Sequence, residues 1–454
     1  MANEKLKRRL FGMKSKIEFQ GMGLLAAGLL VIFASCASAP DFAEMDVAVQ
    51  AGSFEEVLVH LDKEKETRRS IYNDEKNAIL FYLDRGMVAH FAGLYQESFE
   101  NLQLAEQLIE EAFTKSLTQG LATLLVNDNA REYSGQSYED LYINVFNALN
   151  LFYMNNAEGA LVEVRHLNEK LNLLADKFER TAEKYKEDQD PDQLPEMEAT
   201  RFSNSALARY LGALFYRAAG NSDSARIELE ELTRAFALAP EIYTNPIPSS
   251  VAEETEMPAD MARLNVIAFA GLSPVKEEER IDIPLPFAAP NNVTPLALPI
   301  MVARPQAINR VEVVLNSGEE FSLELLENIG AVATETFKDE QAIIKLRGTV
   351  RAIARATAAA TAGAAMENAG GALAIAGAAT RIAGRVAAEA SEQADVRLSR
   401  FFPNQALVGG INLEPGSYTV TVNFYGNSGL VNSQSSELEV RENGLNLARF
   451  VWLE

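Results

Sequence analysis

One cysteine and three histidines occur in 454 residues. With Cys36 alone, neither a disulfide framework nor a multi-thiolate metal site can be assembled. His60, His90 and His166 stand far apart, which disfavours an imidazole metal centre, and no cofactor is expected. Basic side chains are also scarce. The chain has 41 Lys and Arg against 64 Asp and Glu, a formal charge of −23, so its surface repels phosphate backbones and nucleic acid is not an expected partner. No P-loop, G-x-S-x-G or H-E-x-x-H motif is found. One literal enzyme pattern exists, S-x-x-K at Ser273-Pro274-Val275-Lys276. Its partner K-T-G is missing and its surroundings read as strand and loop, so it is read as coincidence. Nothing in the sequence supplies an enzymatic group.

What is present begins with an apolar run behind a basic one. Residues 1–18 carry Lys5, Lys7, Arg8, Arg9, Lys14 and Lys16 against Glu4 and Glu18, and Phe19 to Pro40 holds no charge. The most apolar part, Met22 to Ala34, is short for a bilayer span and ends in Phe33-Ala34-Ser35-Cys36. This segment resembles a bacterial lipoprotein signal with its lipobox, although Phe33 stands where that family usually has Leu. The resemblance implies cleavage before Cys36 and acylation of its thiol and amine, with residues 36–43 as a tether. Cleavage removes six basic and two acidic residues and leaves 35 against 62, a formal −27, so acyl chains rather than charge would hold the membrane. Ala37 and Ser38 after the cysteine resemble lipoproteins sent to the outer membrane. The alternative is an uncleaved signal anchor, and Met13 is a second candidate start.

From 44 to 240 the chain reads as helices. No proline falls between Pro40 and Pro191. Gly86, Ser98, Leu102 and Ala105 are spaced by twelve, four and three residues, and Ala148, Ala160, Val164 and Leu167 repeat that spacing. Gly212 and Ala225 fit a third unit if one residue is added at Ala219-Gly220-Asn221, and a partial unit starts near Gly52-Ser53-Phe54. The pattern resembles tetratricopeptide repeats, in which small residues let paired helices approach. Leu161, Val164, Leu167, Leu171, Leu174, Phe178, Ala182 and Tyr185 form one stripe of a helix about 30 residues long. Its simplest use is core, and its second use is a groove for a partner helix. An acidic loop from Asp188 to Glu198 ends the helix at Pro191 and Pro195.

Asn127-Asp128-Asn129-Ala130-Arg131-Glu132-Tyr133, Gly135, Tyr138-Glu139, Ala148-Leu149-Asn150 and Ala160 to Asn168 together resemble an uncharacterised family of tetratricopeptide-containing bacterial lipoproteins. The resemblance extends to Gly271 to Lys276, Glu392 to Arg397 and Leu413 to Val420. It implies envelope placement and domain order, and no enzymatic activity. Other members tend to have a second Arg where this chain has His166. Glu163, Arg165 and His166 could cluster with Asp128 and Glu139, with structural pairing as the simpler account. His60 and His90 read as ordinary helix residues.

After Pro240 the chain changes character. Eleven of sixteen prolines lie between Pro240 and Pro305, which excludes long helices there. Strands are expected at Leu264–Phe269, Arg280–Ile283, Val311–Leu315, Tyr418–Phe424, Leu438–Arg441 and Leu447–Trp452. The expected fold is α+β: a repeat domain of tetratricopeptide type over 44–240, then a β-sandwich-like domain from 241–318 and 404–454, interrupted by a helical insertion at 319–403. Within the insertion Gly363, Gly370, Gly377 and Gly384 recur every seven residues in an Ala-rich stretch, a pattern for close helix packing. Three uses follow: a hairpin folded on its own domain, self-association, or insertion into a membrane.

These observations predict a lipid-anchored envelope protein, facing the periplasm from the outer membrane, that acts as a non-catalytic adaptor for another envelope protein. An oligomeric membrane-associated component built through the Gly-heptad helices is the alternative, and a cell-wall enzyme is the third.

Overall fold

The computed structural model describes residues 42–118, 128–186, 202–255, 258, 260–284, 293–368, 392–442 and 444–454. Cys36, Gly370, Gly377, Gly384 and the acidic loop 188–198 lie outside the described residues, and Gly363 is described only as part of a helix. The protein is α+β, with helices first and a β-rich region after. Residues 45–454 form one compact unit.

The helical part comprises α1 (Ala43–Gln50), α2 (Phe54–Glu66), α3 (Ala78–Phe91), α4 (Tyr95–Thr118), α5 (Ser137–Tyr153), α6 (Ala157–Lys186), α7 (Ala206–Ala218) and α8 (Ser222–Leu238). α3/α4, α5/α6 and α7/α8 are hairpins, and each packs on the next. Their turns share one device. Gly93, Asn155 and Gly220 have φ of +79°, +59° and +73°, a left-handed conformation that ends one helix. The next amide then closes the turn on a carbonyl five residues back: Leu94 on Ala89, Asn156 on Leu151 and Asn221 on Tyr216. Asn221 also caps α8 by accepting from the Ser224 amide at 3.1 Å.

The small residues expected at helix contacts are where the helices meet. A Cβ on Gly86 would sit 2.7 Å from Leu102, and the Ser98 hydroxyl donates to the Gly86 carbonyl at 2.7 Å. Ala105, Ala148, Ala160, Val164 and Leu167 are buried, as is Ala225. A Cβ on Gly212 would sit 3.2 Å from Val164, where the second hairpin meets the third. α6 runs for 30 residues, and its stripe is buried at Leu161, Val164, Leu167 and Leu171.

A short helix α9 (Ser249–Ala252) leads into strands β1 (Ala262–Leu272), β2 (Val275–Pro284), β3 (Val293–Val302), β4 (Ile308–Leu315) and β5 (Glu320–Asn328). Helix α10 (Ile329–Asn368) follows, then β6 (Pro403–Leu413), β7 (Gly416–Gly426), β8 (Gly429–Val440) and β9 (Asn446–Trp452). β2 and β3 form a separate hairpin, while the rest make one sheet in the order β8-β7-β4-β5-β6-β1-β9. Only the β1–β9 pair is parallel. The sheet curls into a nearly closed barrel around Val266, Val311, Val422, Phe424 and Phe450. Its two edge strands meet at Gln434 of β8, whose amide donates to the Val451 carbonyl of β9 at 2.7 Å.

Two expectations change. The strands on either side of the insertion were expected to pack as a sandwich, yet β5 and β6 link them into one continuous sheet. The insertion was expected to start at 319, but Glu320–Asn328 is β5 and the helix begins at Ile329. Glu and Leu favour helix only weakly, and pairing on both edges overrides that preference.

Candidate functional site

Helices and sheet meet across a polar seam. Asp84 of α3 accepts from the Ser399 hydroxyl and the Arg400 amide at 2.6 and 2.7 Å, and from the Tyr72 hydroxyl at 2.6 Å. Glu139 of α5 accepts from the Ser399 amide at 2.7 Å, the Tyr133 hydroxyl at 2.7 Å and the Gln136 amide at 2.8 Å. Glu327 of β5 accepts from the hydroxyls of Tyr142, Tyr243 and Ser205 at 2.5, 2.6 and 2.9 Å. All three carboxyls are fully buried and none has a cation within ion-pairing distance among the described residues. Burial raises their pKa values against the pull of those hydrogen bonds, and brings Glu139 to about 7.

Segments that the family resemblance singled out converge on the same seam. Arg397 donates to Asn77, to the Asp128 and Arg131 carbonyls and to Asp395, and lies over the Tyr133 ring. Arg351 of α10 bridges Asp128 and Glu392, and Arg355 pairs with Glu392 at 2.9 Å. This network ties the two regions together.

The expected polar cluster divides. Asp128 and Glu139 belong to the seam, Glu163 accepts from Asn144 at 2.7 Å with His166 on its own side of α6, and Arg165 lies over the half-buried ring of Tyr216. The reason is helical geometry, since Arg165, two residues on from Glu163, points away from it, whereas His166, three residues on, shares its face. His60 sits four residues from Glu56, at 3.9 Å. His90 is a buried residue of α3. Its Nδ1 donates to Asn150 Oδ1 at 2.7 Å, Asn150 donates to Ser98 and Ser98 to Gly86, a polar ladder through three helices. Burial, and then Arg449, push its pKa well below the usual histidine value. Ser273 and Lys276 do not form a dyad. Ser273 Oγ has no hydrogen-bond partner among the described residues, and Lys276 lies 4.8 Å over the Phe337 ring on a strand, where no helical turn brings the two together. Among the described residues, no group of three metal-ligating side chains is placed to hold an ion.

A groove of about 1080 Å³ lies between α4, α5 and α6. Leu104, Phe113, Leu141, Leu173 and Leu174 supply its apolar surface, and Leu173 and Leu104 are 58% and 44% exposed. Lys170 crosses one wall, 2.6 Å from Glu106 and 2.7 Å from Asp140, and these two carboxylates raise its pKa although burial works against them. Asn144 ties Glu106 to Glu163 behind it, and burial raises the pKa of Glu163. Glu100, Glu110, Asp176 and His166 complete the rim. Of the stripe expected on α6, Leu174 reaches this groove while the four residues before it are core. Sequence reasoning missed Leu104, Leu173, Lys170, Glu106 and Asp140. The available signal was an apolar residue one position off a buried stripe, as Leu173 is beside Leu174.

No helix among the described residues is long and apolar enough to cross a membrane. No family model, curated protein or solved structure matches the chain.

Proposed function

We propose that this protein is a lipid-anchored adaptor of the bacterial cell envelope, tethered through Cys36, whose tetratricopeptide-like hairpins bind another envelope protein in the groove between α4, α5 and α6. The observation that carries the reading is the groove itself: exposed Leu104 and Leu173 on the faces of stacked helical hairpins. Stacked hairpins present such surfaces to extended or helical partners.

The test is affinity capture from envelope extracts with mass spectrometry, comparing the parent chain with Leu104→Glu and Leu173→Glu. A protein retained by the parent and lost from both variants supports the adaptor. Equal recovery by all three means that the groove is not the working surface. A Cys36→Ala form tests the tether separately: it should lose labelled acyl chains and leave the detergent phase, and maturation to the parent size with the label retained rules out that anchor.

A further inference from the structure

We infer that the occupant of this groove is a basic amphipathic helix, with an apolar stripe for Leu104, Leu141 and Leu173 and with Lys or Arg on its flanks. The inference rests on the adaptor reading and adds the chemistry of the partner. Its ground is charge. Glu100 and Glu110 line the groove beside the Glu106–Lys170–Asp140 group. Lys170 is engaged with Glu106 and Asp140, so the cation is spent inside the wall. Glu100 and Glu110 are exposed and stand on α4, separated by Leu104. An incoming helix that buries Leu173 and Leu104 must therefore bring its flanks against carboxylates. Lysine or arginine there gains attraction, whereas glutamate there meets like charge. The shape fits a helix because the apolar contacts come from Leu104 and Phe113 on α4, Leu141 on α5 and Leu173 on α6, which a stripe at i, i+3, i+4 and i+7 can follow. A second copy of this chain is a poor occupant, since two bodies of formal charge −23 repel.

The probes are two labelled peptides of about 15 residues, near the length at which isolated helices become marginally stable. Both carry Leu at the same helical spacing, one with Lys and the other with Glu at every remaining position. Binding to the detergent-solubilised full chain is read by fluorescence anisotropy at low and high salt. The lysine peptide should bind on the order of tenfold more tightly than the glutamate peptide, weaken as salt rises, and lose its binding with Leu173→Glu. Reversing the rim with Glu100→Lys and Glu110→Lys should shift preference toward the glutamate peptide. All these residues are exposed, so folding should survive, and circular dichroism checks it. Equal or tighter binding of the glutamate peptide overturns the inference, as does lysine-peptide binding indifferent to Leu173→Glu. Sedimentation of the chain alone assigns the groove to a second copy if a dimer dissolves with Leu173→Glu. Binding gained only after the apolar residues 121–126 are replaced by Gly and Ser assigns it to the chain itself. Either result overturns the inference. Capture of an envelope protein that Leu173→Glu abolishes, together with no binding of the lysine peptide, overturns the partner chemistry and leaves the adaptor standing.

Discussion

The helical region and the sheet are built by opposite means. Each hairpin is closed within its own stretch of chain: a left-handed residue turns it, and a small residue such as Gly86 brings the next helix to within contact. The sheet is assembled from distant pieces, with Ala262 of β1 beside Leu413 of β6 and Leu264 beside Asn446 of β9. Local closure leaves helix faces free for a groove. Long-range closure spends the strands' apolar faces on an enclosed core, Val311 and Phe424 among them. The lesson is a division of labour, in which the strands enclose their own core and the helical hairpins carry the exposed groove.

Breaking the seam should have the largest effect. Glu327→Ala removes the acceptor shared by Tyr142, Tyr243 and Ser205, and unsatisfied buried donors cost about 1 to 3 kcal/mol each, so a loss of about 4 kcal/mol is expected. Trp452, the sole tryptophan, sits in β9 and reports the sheet by fluorescence, while far-ultraviolet circular dichroism reports the helices. In urea the two signals should coincide for the parent and separate for the variant. Coincident transitions in both would mean that Glu327 does not couple the regions.

Overpacking one hairpin comes next. Gly86→Leu drives a side chain into Leu102 and should cost about 3 kcal/mol, the upper end for overpacking, as would Ala160→Trp in the second hairpin. Unchanged melting temperatures would show those positions to be free of the facing helix.

A smaller effect separates the helical core from the seam by pH. His90 is held neutral with its folded pKa far below the ordinary 6.5, so as pH falls below about 6.5 the unfolded chain takes a proton that the folded chain refuses, and stability is lost. Glu139 works the other way. Its folded pKa of about 7 lies above the ordinary 4.5, so its contribution grows as pH falls from 7 toward 4.5. Each has a limiting slope of about 1.4 kcal/mol per pH unit. Relative to the parent, His90→Gln should lessen the loss of stability between pH 6.5 and 5, and Glu139→Gln should deepen it. The same slope in all three would remove both assignments.

The smallest effect is at the barrel's closure. Gln434→Ala removes the hydrogen bond to the Val451 carbonyl and should cost about 1 kcal/mol, with faster amide exchange in β9 and none in α3 to α8. Faster exchange in the helices would mean that closure is felt across the seam.

Much of the helical region was legible because its contacts are periodic and near in sequence. Gly86 and Ser98 mark one hairpin, and the stripe from Leu161 predicts the length of α6. Parts of the sheet were not. β3 holds Pro295 and Pro299, which normally argue against a strand, but it lies in a two-stranded hairpin where prolines four apart can both turn away from the partner. β6 is flanked on both edges and buried through Ala406, Leu407, Val408 and Gly409, so no alternation marks it. β5 fell inside the helical insertion expected from 319, because its pairing partners lie far away in sequence. The groove was hidden for a different reason: Leu104, Asp140 and Lys170 stand on three helices, and only their packing brings the leucines and carboxylates together. The seam was hidden likewise, with Tyr142 and Glu327 separated by 185 residues.

The division of labour is tested most directly by photocrosslinking in living cells, with a photoreactive amino acid placed at Leu173 in the groove or at Leu430 on the exposed start of β8, which is 57% exposed against 58%. The account predicts a discrete adduct from Leu173, abolished by Leu104→Glu, and none from Leu430. An adduct from Leu430 alone would place the working surface on the barrel and contradict it.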